Sequence, residues 1–162
     1  MIVVDANIVV AFVIENAFAP DARAVHAMDP DWVAPALWQS EVLNALLNEL
    51  KAGKLALEGA LEAVKTATQL LRERTRDCRP SAILSTAHDT GLTAYDATYV
   101  ALARSLGLSL ITEDKQILRA CPDVARSMRH FLTPPDTPAT AREKPAAYKT
   151  RRAGKRTRAG RT

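Results

Sequence analysis

The opening stretch of the chain, MIVVDANIVVAF at residues 1–12, holds a single charged side chain within an apolar run. That residue is Asp5, which follows a predicted buried strand at residues 2–4 and precedes a predicted helix that ends near Glu15. An unpaired carboxylate in apolar surroundings is costly, so it needs a hydrogen-bond donor, a counter-charge or a metal ion. The fold that this stretch begins must therefore bring partners to Asp5.

Short apolar strands and helices alternate along the rest of the chain. Further strands are predicted at residues 32–35, 108–111 and 124–128. Helices are predicted at residues 21–28, 37–50, 57–74, 81–88, 95–106 and 114–118. Strands that are too short and apolar to face water are typical of a parallel sheet covered by helices, so the sequence predicts the α/β class.

The charge of the chain changes sign toward its C-terminal end. Residues 1–133 contain 13 Lys and Arg against 16 Asp and Glu, a net charge of −3, whereas residues 134–162 contain nine against two, a net charge of +7. The second segment has four prolines and almost nothing to bury. We predict one folded domain at residues 1–132 and a disordered basic tail at residues 133–162, which either attracts RNA or serves as a solubilising segment.

Several classes of protein are disfavoured by the composition. Cys78 and Cys121 have neither a C-x-x-C pairing nor metal-ligand spacing with a histidine, which favours a reducing compartment over disulfides or zinc. The sequence contains no apolar run of 18 residues, which a membrane span would need, and no basic leader, which a signal peptide would need. We therefore expect a soluble, cytoplasmic protein. A catalytic Ser-His-Asp or Cys-His pattern, a phosphate-binding Gly loop and H-E-x-x-H are also missing from the sequence.

Four acidic residues fall near the expected carboxyl ends of the strands, where ligands bind in open α/β sheets. They are Asp5, Glu41, Asp96 and Asp114. Each also has a purely structural explanation. Asp5 and Asp114 can cap the helices that follow them, and Asp96 lies three residues after Thr93, which is the spacing of a capping box.

Glu41 can be an ordinary solvated helix residue, but its predicted face argues against this. Residues 37, 41, 44 and 48 align on one face, apart from an apolar stripe of Leu43, Leu46, Leu47 and Leu50. Four clustered carboxylates repel one another unless a cation neutralises them. Because oxygen ligands without His or Cys favour Mg²⁺ or Mn²⁺, we predict that the four acids hold one of these ions.

Four short motifs contain these acids: VVDANIVVAF, APALWQSEVLNALL, TAYDATYVALA and LITEDKQIL. Their order and spacing resemble the PIN domain family, and most of all the VapC toxins of type II toxin–antitoxin systems. The resemblance spans about residues 1–132. It implies a three-layer sandwich in which a central, mainly parallel sheet is flanked by helices.

The resemblance also implies a function and a site. Asp5, Glu41, Asp96 and Asp114 would bind Mg²⁺ or Mn²⁺ for the hydrolysis of RNA phosphodiester bonds, with structured tRNA or rRNA as the expected substrates. Asn7 and Thr112 match supporting positions of the family. Glu113 adjoins Asp114, and only the T-x-D pattern favours Asp114 as the ligand.

Relatives of this kind usually form homodimers and are inhibited by a cognate antitoxin whose C-terminal segment lies across the cleft. Trp32, Trp38 and residues 43–50 either contribute to such a groove or belong to the core. Two alternatives to a toxin remain, namely a PIN nuclease of RNA processing and a PIN-fold binding module without catalysis. A phospho-acceptor receiver domain is disfavoured because MIVVDAN supplies one acid where a receiver has a pair.

Overall fold

The computed structural model describes residues 1–133, so the predicted tail lies outside the described residues apart from Thr133. In the described part the chain forms five strands and eight helices. In chain order they are β1 (Ile2–Val4), α1 (Ala6–Val13), α2 (Ala19–Met28), β2 (Trp32–Pro35), α3 (Trp38–Lys51), α4 (Leu57–Leu71), β3 (Thr75–Arg76), α5 (Pro80–Thr90), α6 (Ala94–Leu106), β4 (Leu110–Ile111), α7 (Lys115–Ala120), β5 (Ala125–Arg126) and α8 (Met128–Leu132).

All five strands are parallel, in the order β3-β2-β1-β4-β5. The opening stretch supplies the central strand, because β1 pairs with β2 through Val3 and Val33 and with β4 through Val4 and Ile111. All three residues of β1 are buried, as are the residues of β2 and β4, which agrees with a sheet covered on both faces. The predicted α/β class and the PIN-like sandwich of a parallel sheet flanked by helices are confirmed.

The strand order places three connections at one edge of the sheet. β1, β2 and β4 each lead from their carboxyl ends into the segments that carry Asp5, Glu41 and Asp114. Helix α6 packs against β1 and β2 and carries Asp96 in its first turn. The topology therefore gathers all four predicted site residues at this edge.

Several predicted boundaries differ from the structure at the periphery of the sheet. The helix predicted at residues 57–74 ends at Leu71, and the two-residue edge strand β3 follows at Thr75, where the sequence predicted none. The strand predicted at residues 108–111 is reduced to Leu110–Ile111. Helix α8 was not predicted, because five residues are too few to show a helical period.

The predicted apolar stripe of α3 is correct only for Leu46, the one of its four residues that is buried. Helix α3 packs through Trp38, Val42 and Leu46, which lie at intervals of four residues and are buried. Leu43 and Leu47 follow one position later, which turns them about 100° away from the packed face. They are 52% and 44% exposed.

The two tryptophans belong to the core rather than to a groove. Trp32 is fully buried and packs edge-on against the rings of Phe12 and His26. Trp38 is buried as well, and its Nε1 donates to Oγ1 of Thr75 over 3.1 Å. Within residues 1–133, no helix has both the length and the apolar character needed to cross a membrane.

Candidate active site

A cleft of about 1030 Å³ opens at the carboxyl edge of the sheet, between α1, α3 and α4. The four predicted acids all line it. Glu15, Glu49 and Glu62 extend the acidic lining away from the sheet, and Lys54 also lies in the wall. The cleft thus brings together the four residues that the sequence singled out, in a strongly acidic setting.

Asp5 occupies the N-cap position of α1, but its side chain makes no capping hydrogen bond. Its Oδ2 instead accepts the Thr112 hydroxyl over 2.5 Å and the Asn7 side-chain amide over 2.8 Å. The main chain of Asp5 is also fixed, because its N–H donates to the carbonyl of Ile111 over 3.0 Å. The capping explanation for Asp5 therefore does not hold, and the predicted supporting residues Asn7 and Thr112 both contact it.

Glu41 lies near the start of α3 and is half-buried. Its Oε2 accepts a hydrogen bond from the hydroxyl of Tyr99, a buried residue of α6. The sequence analysis did not select Tyr99. Its spacing was an available signal, because Tyr99 follows Asp96 by three residues and so lies on the same face of α6.

Asp96 and Asp114 serve the local structure as well as lining the cleft. The N–H of Asp96 donates to the Thr93 hydroxyl over 3.2 Å, and this hydroxyl donates in turn to Asp96 Oδ2 over 2.7 Å. Oδ1 of Asp114 caps α7 by accepting the N–H groups of Gln116 and Ile117. The capping explanation is thus correct for Asp114, whereas Asp96 forms half of a capping box, since its carboxylate binds the Thr93 hydroxyl rather than the Thr93 N–H. Both arrangements are compatible with a second role.

The neighbouring acid Glu113 has a different environment. Its Oε1 accepts the N–H of Met128 over 2.8 Å at the start of α8, and the residue does not line the cleft. Asp114 is oriented into the cleft by its own N–H, which donates to the Thr112 hydroxyl over 3.0 Å. The geometry therefore favours Asp114 over Glu113 as the site residue.

One arrangement is common to all four acids. In each, one carboxylate oxygen is held by a donor of the fold, and the other accepts no side-chain hydrogen bond from residues 1–133. The free oxygens are Oδ1 of Asp5, Oε1 of Glu41, Oδ1 of Asp96 and Oδ2 of Asp114. The scaffold thus orients the carboxylates and leaves each one an unused acceptor.

The charges in the cleft perturb one another. Burial raises the pKa of Asp5 to about 6, the hydrogen bond from Thr112 opposes this shift, and the charge of Glu41 adds to it. Burial also raises the pKa of Glu41; the Tyr99 hydrogen bond acts in the other direction and the charge of Asp96 adds to the rise. None of the four acids forms a salt bridge within residues 1–133.

The donor set fits a hard divalent cation, since it consists of carboxylate oxygens without Cys or His. It is not a complete set of metal ligands. Within the described residues, no group of three or more Asp, Glu, His or Cys side chains is arranged to hold a metal ion by itself. A cation here would keep water or substrate oxygens among its ligands, which is the usual behaviour of Mg²⁺.

Comparison with known protein families gives a match over most of the chain. A family model described as "PIN domain" matches residues 2–121, which include all four acids of the cleft.

Two individual proteins from Pyrobaculum aerophilum are similar to the chain. One is named Exonuclease VapC9 and is 35% identical over 81 residues, which amount to 48% of this chain and 58% of that protein. The chain thus spans less than two thirds of this relative's length. The other is the crystal structure of PAE2754, which superposes with a TM-score of 0.63 at 25% identity, over 80% of this chain and 92% of that one.

Proposed function

Since this chain belongs to the PIN domain family, we propose that it is a metal-dependent ribonuclease and acts in the cytoplasm as the toxin of a toxin–antitoxin pair. The similarity to a relative named VapC9 supports the toxin assignment. The intact set of four acids favours it over a PIN-fold module that binds without catalysis. A nuclease of RNA processing is the alternative within the same chemistry.

The observation that carries this proposal is that the four cleft acids lie together without a cationic side chain of residues 1–133 to neutralise them. Asp5 is 8% exposed and lies close enough to Glu41 for their charges to repel, yet no cationic side chain of residues 1–133 pairs with it. An uncompensated buried carboxylate is unfavourable, so its retention needs a functional reason. A bound Mg²⁺ or Mn²⁺ removes the repulsion and uses the free oxygens of the acids.

The residues of the cleft have separable roles in the proposed reaction. Asp5, Glu41, Asp96 and Asp114 would hold Mg²⁺ or Mn²⁺, which supplies a Lewis acid for water activation and for charge on a scissile phosphate. Thr112 and Asn7 fix the orientation of Asp5 through its Oδ2. No Ser, Cys or His lines the cleft among the described residues, so the attacking group in this proposal is water.

The substrate in this proposal is RNA, with structured tRNA or rRNA sites as the expected targets. The mode of cleavage has two candidates. Endonucleolytic cleavage follows from the resemblance to VapC toxins, whereas the relative VapC9 is named an exonuclease. A covalently closed RNA separates the two, because an exonuclease requires an end.

The decisive experiment incubates the purified full chain, free of bound partner, with total cellular RNA and with matched linear and circular RNAs. Each reaction contains Mg²⁺, Mn²⁺ or a chelator, and new RNA ends are mapped. We expect cleavage that needs the metal and is lost in Asp5→Asn and Asp96→Asn. Glu113→Gln serves as the matched control, because Glu113 lies outside the cleft and should leave cleavage intact.

Two results would contradict the nuclease proposal. One is the absence of any cleavage by folded protein with metal present. The other is equal cleavage by the wild type and both acid variants, which would indicate a contaminating nuclease. Cleavage of linear RNA alone would favour the exonuclease mode, and cleavage of the circle would establish the endonuclease.

We also propose that the chain forms a homodimer and binds a cognate antitoxin. Support for a dimer comes from α3, where Leu43 and Leu47 lie exposed one turn apart. Ser40, Asn44 and Asn48, which lie exposed beside them, carry no charge, and Lys51, one turn after Leu47, is the first exposed charge on this face. Such a surface is typical of the centre of an interface, where charged residues are depleted.

A further inference from the structure

The hydroxyl of Tyr99 is the feature of the cleft whose role the proposed function leaves open. Tyr99 is 1% exposed, and its ring is buried beneath the site, in the helix that also carries Asp96. Its hydroxyl donates to Oε2 of Glu41, 58 residues earlier in the chain. The contact joins α6 to α3 through a residue of the cleft lining, Glu41.

We propose that Tyr99 is a positioning residue that holds the Glu41 carboxylate in the orientation required for binding a divalent cation. This inference rests on the proposed function of the cleft. In this proposal Tyr99 is not itself a ligand of the cation, and its hydroxyl contacts the carboxylate of Glu41. It acts through Oε1, the oxygen of Glu41 that the fold leaves free.

The physical reason is that the side chain of Glu41 has more conformational freedom than that of Tyr99. A glutamate has three rotatable bonds and loses much of its rotamer freedom when it becomes a ligand. A tyrosine has two, and the ring of Tyr99 is fixed by complete burial. The phenol is thus a rigid donor at a fixed place, and Glu41 reaches its binding orientation before the cation arrives.

A role confined to packing would not need the hydroxyl. The ring alone fills the space, and a phenylalanine would do so without burying a polar group that requires an acceptor. The hydroxyl atom is therefore the part of Tyr99 that the proposal concerns, and removing it alone tests the proposal.

The test measures Mn²⁺ affinity directly in the full chain, by calorimetry and by electron paramagnetic resonance, without RNA present. We expect Tyr99→Phe to weaken Mn²⁺ binding by about tenfold to a hundredfold, the range found when hydrogen-bond partners of metal ligands are removed. Tyr95→Phe is the matched control. Tyr95 lies on the same helix but is 66% exposed, so the same loss of a hydroxyl should leave the affinity unchanged.

A double-mutant cycle with Glu41→Gln shows whether the hydroxyl acts through Glu41. If it does, Tyr99→Phe has no further effect on Mn²⁺ affinity once Glu41 has been changed. Equal affinities of wild type and Tyr99→Phe would overturn the proposal, and so would fully additive effects. Should Tyr99→Phe fail to fold, replacement of Tyr99 by 4-aminophenylalanine takes its place, because it keeps the ring and a polar donor that is weaker than the phenol; unchanged Mn²⁺ affinity in that variant would also overturn the proposal.

The cycle separates failure of this proposal from failure of the proposed function. If the wild type binds Mn²⁺ and Glu41→Gln weakens binding while Tyr99→Phe does not, the metal site stands and the role of Tyr99 is refuted. If the wild type binds no Mn²⁺ at all, the metal-dependent function fails, and the positioning role falls with it.

Discussion

The Thr112 hydroxyl links two site residues at once, since it donates to Oδ2 of Asp5 over 2.5 Å and accepts the N–H of Asp114 over 3.0 Å. Its side chain is fully buried at the end of β4. Through this hydroxyl the central strand and its neighbour fix two carboxylates relative to each other. The contact makes Thr112 a support of the site rather than a ligand.

Replacing Thr112 by valine should therefore cost both stability and metal binding. Thr112→Val keeps the shape but leaves the Asp114 N–H without its acceptor and Asp5 without one donor, a loss of about 1–3 kcal/mol in the free energy of unfolding. Urea denaturation measures this loss. Thr112→Ser is the control, because it keeps the hydroxyl and loses only a methyl group, at about 1 kcal/mol. Equal Mn²⁺ affinity in the two variants would refute the supporting role.

The buried carboxylate of Asp5 should destabilise the metal-free protein at neutral pH. Its pKa is about 6 in the folded state against an ordinary value of 3.8, so the folded state favours the protonated form. The corresponding stability is fully present below about pH 4 and is lost as the pH rises through about 6. The shift corresponds to about 3 kcal/mol at most.

Asp5→Asn should accordingly be more stable than the wild type by about 2–3 kcal/mol at pH 8 in the presence of a chelator. At pH 3.5 the two should unfold at similar urea concentrations. Adding Mn²⁺ at pH 8 should reduce the difference, because the ion stabilises only the protein that binds it. A wild type more stable than the variant at pH 8 without metal would contradict the assignment of an uncompensated charge.

The adjacent acids Glu113 and Asp114 provide a matched pair. Asp114→Asn should weaken Mn²⁺ binding and RNA cleavage at least tenfold, whereas Glu113→Ala should leave both intact. Glu113→Ala removes an acceptor from the N–H of Met128 and should lower the free energy of unfolding by about 1 kcal/mol. If Glu113→Ala reduced cleavage more than Asp114→Asn, the assignment of the two acids would have to be exchanged.

Two pairs of exposed leucines test the proposed dimer. Changing Leu43 and Leu47 on α3 to glutamate should convert a dimer into a monomer in sedimentation equilibrium. Leu57 and Leu61 on α4 are more exposed, but the charged residues Glu58 and Glu62 lie exposed directly beside them, so the same double change there should not affect the dimer. A monomeric wild type, or a dimer that survives the α3 change, would refute the proposed interface.

Removing the basic segment, residues 134–162, tests whether it helps the acidic folded domain to bind RNA. Residues 1–133 carry a net charge of −3 and residues 134–162 carry +7. Deleting residues 138–162 should weaken RNA binding and flatten its dependence on salt, because fewer counterions are released. Filter binding over a salt series measures the RNA affinity and its dependence on salt. If the deletion changed neither, the segment would have only a solubilising role.

The sequence predicted the parts of the fold that depend on local pattern. Composition alone predicted the apolar strands β1, β2 and β4. The four site acids were predicted from their positions after strands and in the first turns of helices. The strand β3 could not be predicted, because Thr75 and Arg76 have no apolar pattern and pair only when β2 is present beside them. Helix α8 has a local N-cap, Ser127, but its five residues are too few for a helical period, and the N–H of Met128 is bound by a carboxylate from another element.

The sequence also could not predict the direction in which side chains point. Residues 113 and 114 are both acidic, and only their tertiary partners decide which one faces the cleft. Leu43 and Leu47 seemed to belong to the packed stripe of α3, because a leucine-rich helix permits more than one choice of buried face. Tyr99 was not selected, since a sequence does not show where a hydroxyl points.

The contact between Asp5 and Thr112 spans 107 residues of chain. Asp5 is synthesised about a hundred residues before β4, so neither the β1–β4 pairing nor the hydroxyl that orients this carboxylate exists until nearly the whole domain has been made. A truncated product that ends before β4 would thus expose an edge of its central strand and lack the site. During translation, the four acids of the cleft would therefore come together only after the folding domain is complete.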